Sequence, residues 1–162
     1  VADESTKGRR IVVGVGNPHR GDDAAGRAVA RALRDTLPAD VEIVEHDGEA
    51  AALIDCLERV DEAYLIDACS SGAPAGTRRR LDVAHARLPP ERFASTHGVG
   101  LAQAIELARA LDVLPRRCIV YAIEGATFDV GAPLSAAVAA AVAATANDLR
   151  TDLVGAGRGD GG

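Results

Sequence analysis

Apolar and polar positions follow two periods along this chain, and the two alternate from one end to the other. A continuous apolar run at 11–15, within a stretch 10–15 that reads as the first strand, is followed by a bend, and then Ala25, Ala28, Val29, Ala32 and Leu33 recur at helical spacing, with Arg27, Arg31, Arg34 and Asp35 opposite. The unbroken run predicts a strand buried on both faces, and the stripe predicts a helix that ends around Leu37, Pro38, Ala39 and Asp40. A second strand is expected at 41–45, a turn at His46, Asp47 and Gly48, and a second helix at 50–57 carrying Leu53, Ile54 and Leu57 inward. Residues 62–68 predict a third strand that ends at Asp67, before a loop rich in Gly, Ser and Pro.

Residues 77–83 read as another strand. The connection of about eight residues that precedes it is too short for a right-handed parallel crossover, so this strand should run antiparallel or sit at the margin. Beyond the extended Leu88-Pro89-Pro90, His97 opens a helix over 99–111 whose buried stripe is Leu101, Ala104, Ile105, Ala108 and Leu111. The last strand is expected at 117–123 and the closing helix at 134–149. Alternating strands and helices define an α/β protein, with a three-layer α/β/α domain and a mostly parallel, mixed sheet of about five strands. Its functional edge should lie at the C-terminal ends of the strands. Residues 1–9 read as a disordered segment, 10–153 as one domain, and 154–162 as a disordered Gly-rich tail.

Composition narrows this picture. Of 162 residues 48% are hydrophobic but only 2% aromatic, with no Met or Trp, so the core must be built from Ala, Val, Leu and Ile. The net charge of −6 argues against nonspecific nucleic-acid or anionic-membrane partners, which need basic surfaces. The basic triplet Arg78-Arg79-Arg80 reads as a solvated loop or edge strand. Cys56, Cys69 and Cys118 form no CxxC pair and fit buried thiols in a reducing cytosol. With no signal-peptide pattern and no apolar run long enough to span a bilayer, a cytoplasmic location is expected.

Candidate chemistry gathers at the predicted edge. Gly14-Val15-Gly16 opens like a dinucleotide fingerprint, but His19 stands at the third glycine position, so a nucleotide-binding reading is weakly supported. Asp22 and Asp23 follow the first strand, Asp67 ends the third, and His97 begins a helix. Two carboxylates and an imidazole suit a borderline divalent ion such as zinc or nickel, with positions left open. Ordinary roles compete: Asp22 is placed to cap its helix, Asp67 to bond loop amides, and His97 to cap or face solvent.

The stretches GVGNPHRGDDAAG, LIDACSSGAPAGT and STHGVGLAQAI, in that order, resemble the hydrogenase maturation proteases. These are cytosolic endopeptidases that remove a C-terminal extension from the large-subunit precursor of nickel–iron hydrogenases. The likeness runs from about Arg10 to Leu149 and includes Glu124, Gly125 and the segment after them. It implies a metal-recognising set of Asp23, Asp67 and His97 that also carries catalysis, with Gly16 and Asn17 shaping the loop or touching substrate. It further implies nickel supplied by the precursor, no organic cofactor, and the hydrogenase large-subunit precursor as partner. A non-catalytic nickel-binding or escort module would use the same residues. Two departures stand out: Ala24 where the motif usually has Gly, and Glu124-Gly125 where Pro-Glu is common.

Overall fold

The computed structural model describes residues 8–88 and 98–155. The expectations for 1–7, for Pro89, Pro90 and His97, and for the tail beyond Gly155 lie outside them. The elements are β1 (Arg10–Val15), a 3-10 turn (Gly21–Ala24), α1 (Ala25–Leu33), β2 (Val41–His46), α2 (Ala50–Glu58) and β3 (Glu62–Cys69). β4 (Arg78–Asp82), α3 (Gly98–Ala110), β5 (Arg117–Glu124) and α4 (Ala136–Gly155) complete the chain.

Five strands form one sheet in the order β2-β1-β3-β5-β4. The first four in that order run parallel, and β4 pairs antiparallel with β5 at the edge, as the short connection requires. Strand order reverses between β1 and β3, because the chain moves outward from β1 to β2 and then returns to β1's other side. That reversal opens a crevice outside the carboxyl ends of the two strands.

Two apolar layers sandwich the sheet. On one face Ile11, Val13, Leu65, Val120 and Ala122 pack with Leu53 and Leu57 of α2 and Leu101 and Ile105 of α3. On the other, Val12, Tyr64, Ile66, Ile119 and Ile123 pack with Val29 and Leu33 of α1 and Val142 and Leu149 of α4. Gly14 and Gly26 permit the tight α1 contact. A Cβ on Gly14 would lie 2.3 Å from the Gly26 carbonyl oxygen, and one on Gly26 would lie 2.3 Å from that of Ile66. The buried Arg10 fastens β1 to the far end of α4, pairing with Asp40 at 2.9 Å and donating to the Leu153 carbonyl at 2.8 Å.

Several local expectations are corrected. α1 stops at Leu33, because Arg34 leaves helical dihedrals (ψ 137°) and Asp35 adopts φ 62°, before Pro38 is reached. His46 ends β2 instead of beginning a turn, and its Nδ1 accepts the Gly48 amide at 2.9 Å. Leu111 is 57% exposed because α3 ends at Ala110, and Asp112 turns the chain away with φ 59°. α4 starts at Ala136 instead of Leu134, with the Ser135 carbonyl accepting the Ala139 amide, and it runs on to Gly155.

Candidate active site

The loop after β1 is shaped by one glycine and one asparagine. Gly16 holds φ 149°, and a Cβ there would fall 1.9 Å from the Asp23 carbonyl oxygen, so no side chain fits. The Asn17 side chain accepts the His19 amide at 2.9 Å, an Asx turn that bends the loop back toward the sheet. The Asn17 amide itself donates to Asp23 Oδ2 at 2.9 Å. A phosphate cradle would keep such an amide for its ligand. Here a carboxylate of the same loop takes it, which weighs against the nucleotide-binding reading.

Asp22 does not cap a helix. Neither the 3-10 turn nor α1 receives a side-chain cap. The Asp22 carboxylate instead accepts the amides of Ala126 (2.8 Å), Thr127 (3.1 Å) and Ser135 (2.8 Å) and the Ser135 hydroxyl (2.9 Å). Its own amide donates to the Thr127 carbonyl at 2.7 Å. The 3-10 turn directs Asp22 across the edge to the loop between β5 and α4, so it latches two loops together. Burial raises its pKa, but the amides of Ala126, Ser135 and Thr127 and the Ser135 hydroxyl outweigh that and leave it below the ordinary carboxylate value. Ala24, the departure from the usual glycine, has φ −78° and ψ −2°, so no positive φ is required there.

Asp23 and Asp67 are both fully buried at the carboxyl edge, on the loop after β1 and on its neighbour β3. The 3-10 turn that carries Asp23 lies against β3. β3 continues two residues past Asp67 to Cys69, paired only with β5, whereas its pairing with β1 ends at Gly14–Ile66. Asp67 therefore stands where the sheet parts. By strand alternation with Leu65 and Cys69 it belongs to the α2/α3 face. The first turn of α3 reaches that edge too, because a Cβ on Gly100 would meet the Gly48 carbonyl oxygen, just beyond β2, at 2.3 Å. His97 immediately precedes α3 in sequence and lies outside the described residues. Among the described residues no cluster of three His, Cys, Asp or Glu side chains is arranged to hold a metal ion.

The sequence reading noted Glu124 only as a departure from the family pattern, and the structure shows it to be a further buried acid. Glu124, 2% exposed at the end of β5, accepts the Ser71 amide (2.7 Å), the Ser71 hydroxyl (2.8 Å), the Gly72 amide (3.1 Å) and the Cys69 thiol (3.2 Å). Desolvation raises its pKa, and the bonds from Ser71, Cys69 and Gly72 more than reverse the shift. It thereby fixes the loop leaving β3. The available signal was a single acid closing an otherwise apolar strand. Burial, with the Glu124 carboxylate beside it, pushes the Cys69 thiol up to about 12, which unsuits it as a nucleophile.

A doubly wound α/β sheet with buried acids where the strand order reverses defines a class of edge-site α/β proteins. Comparison narrows the class. The family described as hydrogenase maturation protease (HycI) matches residues 28–150. The hydrogenase maturating endopeptidase HybD from E. coli superposes with a TM-score of 0.80 at 24% identity, over 92% of this chain and 94% of that one. A hydrogenase 2 maturation peptidase from a Thaumarchaeota archaeon gives 0.66 at 27% identity, over 91% and 98%. The hydrogenase expression/formation protein HupD of Thiocapsa roseopersicina is 24% identical over 122 residues, 74% of this chain and 55% of that protein. The chain thus spans about half the length of that curated relative. It belongs to the hydrogenase maturation protease family.

Proposed function

We propose that this protein is an endopeptidase that removes the C-terminal extension of a nickel–iron hydrogenase large-subunit precursor after nickel insertion. Asp23, Asp67 and His97 recognise the metal, which arrives as part of the substrate. The observation that carries the reading is the pair of buried carboxylates, one in the turn after β1 and one on the adjacent parallel strand β3, where the strand order reverses, in a chain of this family.

What the chain's own groups contribute follows from their surroundings. The Asn17 amide restrains Asp23, and pairing with β5 on both sides of its row restrains Asp67. Both acids are thus held before substrate arrives, which lowers the cost of positioning a peptide beside them. Nickel carried by the precursor supplies Lewis acidity toward the scissile carbonyl or a bound water. Either carboxylate can then take the proton that the attacking water releases. Gly16 and Asn17 border the crevice and line the peptide's path. Covalent catalysis gains no support, because the Ser71 and Ser135 hydroxyls donate to Glu124 and Asp22 and the Cys69 thiol is protonated.

The test mixes the protein with nickel-loaded precursor and weighs the products. Release of a C-terminal peptide is expected, and a His97→Ala variant should bind precursor and release none while melting like the parent. An escort would hold the loaded precursor and leave its mass unchanged, and cleavage of nickel-free precursor at the same rate would remove the metal-reading role.

A further inference from the structure

Two loops are fastened together at the carboxyl edge, residues 17–22 after β1 and residues 126–135 between β5 and α4. The Asp22 carboxylate and amide supply most of the fastening. The Gly131 amide adds a bond to the His19 carbonyl at 2.8 Å. Val130 immediately precedes Gly131, and Arg20 immediately follows His19, so the two backbones run side by side there. The joined loops form a shelf on the outer side of the site.

Neither residue is used inside the molecule. Val130 is 79% exposed, the most exposed large hydrophobic among the described residues. One exposed apolar side chain is ordinary by itself. Here, though, the bonds from Thr127 and Ser135 to Asp22 and from Gly131 to His19 fix the backbone on both sides and hold the side chain out. Phe128, two residues earlier, packs on the α1/α4 core instead. Arg20 is half-buried, and its Nε is closed off from solvent, which pins the stem of the side chain. The terminal nitrogens are not closed off, and among the described residues no hydrogen bond or ion pair joins them to any acid, the exposed Asp129 included. The two acids that follow in sequence are held by other donors, Asp22 by Ala126, Thr127 and Ser135, and Asp23 Oδ2 by the Asn17 amide. In a chain with 24 acidic against 18 basic residues, a half-buried cation without a counterion calls for a partner from outside.

We propose that the hydrogenase large-subunit precursor docks on this two-loop shelf, setting an acidic side chain against Arg20 and an apolar one against Val130. The proposal rests on the endopeptidase reading and deepens it. Continuity with the candidate site selects this occupant. The Arg20 carbonyl accepts the Asp23 amide at 3.1 Å, and the Arg20 amide donates to the Asn17 carbonyl at 3.4 Å, so the shelf belongs to the loop that aims Asp23. A protein resting there brings its adjoining chain to the crevice. A guanidinium with open terminal nitrogens fits a carboxylate. Because the loops are fixed beforehand, the contact forms at little cost in ordering.

The test compares the parent with Arg20→Gln, Arg20→Lys and Val130→Asp. KM for peptide release from nickel-loaded precursor, affinity for nickel-free precursor and a thermal melt are measured for each. Arg20→Gln and Val130→Asp should each raise KM and weaken the affinity about tenfold, with kcat and melting temperature held. Arg20→Lys should fall between Arg20→Gln and the parent, because it keeps the charge and loses the planar fork. Added salt should raise the parent's KM, and that of Arg20→Gln less. An unchanged KM in Arg20→Gln or in Val130→Asp overturns the proposal, as does a parent KM indifferent to salt. A fall in kcat at constant KM also overturns it, since that marks a loop that only aims Asp23. So does a dimeric parent that Val130→Asp turns into monomers with release unimpaired, because the patch then serves a second copy. If Arg20→Gln melts lower than the parent, Val130→Asp decides. A parent that binds precursor through this patch and releases no peptide keeps the docking surface and sinks the endopeptidase reading, whereas release at the parental KM by every variant sinks the docking surface alone.

Discussion

Replacing Asp22 with Ala separates two accounts of the first acid in the Asp22–Asp23 pair. A helix cap is worth about 1 kcal/mol, and its loss would fray one end of α1. The observed carboxylate is fully buried and accepts three backbone amides and one hydroxyl, from Ala126, Thr127 and Ser135. Each buried donor deprived of its acceptor costs about 1–3 kcal/mol, and relaxation of the loop with entry of water recovers part of the sum. The net loss should be about 3–5 kcal/mol, read as a fall of roughly 10 °C in melting temperature. The pH dependence has a definite sign. The folded-state pKa lies below the ordinary aspartate value of 3.8, so the stabilisation is complete above that value and is lost as pH falls through the folded-state pKa. The gap between parent and Asp22→Ala should therefore be flat above about pH 5 and narrow in stronger acid. Circular dichroism melts at several pH values measure both features. A loss near 1 kcal/mol would restore the cap and refute the latch.

Other outcomes follow from the same geometry. Gly16→Ala should cost about 2–4 kcal/mol and abolish processing, since the new Cβ would sit 1.9 Å from the Asp23 carbonyl; a melt within error of the parent would show that the loop can yield. Glu124→Gln should release the loop after β3, giving protease cleavage between 70 and 76 that the parent resists; equal resistance in both counts against the clamp. The Glu124 contribution has the same sign as that of Asp22: it is present above the ordinary glutamate value of 4.5 and lost in acid. Native Cys69 should react with thiol reagents roughly a thousandfold more slowly than an ordinary thiol, as its pKa of about 12 stands against an ordinary value of 9.0; labelling at the free-thiol rate would contradict its burial.

The sheet was legible because its signal is periodic and local. Short continuous apolar runs bounded by turn residues mark strands covered on both sides, and three of the four parallel strands, β1, β3 and β5, have one, while β2 at the edge mixes apolar and charged positions. Even the antiparallel edge followed from a connection too short to cross over. Asp22 was misjudged for the opposite reason. A cap and a long-range latch look identical in sequence, and its partners lie more than one hundred residues away, at Ala126 to Ser135. Leu111 fitted the helical stripe, and only a positive φ at Asp112, which the sequence does not announce, removed it from the core.

The carboxyl edge carries four buried acids, Asp22, Asp23, Asp67 and Glu124, and an edge so charged needs an explanation for its stability. Backbone amides supply much of it. Those of Ala126, Thr127 and Ser135 point at Asp22, that of Asn17 at Asp23, and those of Ser71 and Gly72 at Glu124. All of these amides belong to loops, so each carboxylate they hold also fixes a loop in place. Asp22 and Glu124 thus clamp the segments on either side of the row that contains Asp67. The division explains why adjacent aspartates do unlike work: Asp22 turns outward to a distant loop, while Asp23 is held by its own. Neutralising a clamp should loosen a loop and cost stability first, with activity following as the edge deforms. Neutralising Asp67 by Asp67→Asn should do the reverse, abolishing peptide release while the melting temperature holds or rises as a buried charge is removed. A melt that falls for Asp67→Asn as far as for Asp22→Ala would place Asp67 among the clamps and take it out of the proposed site.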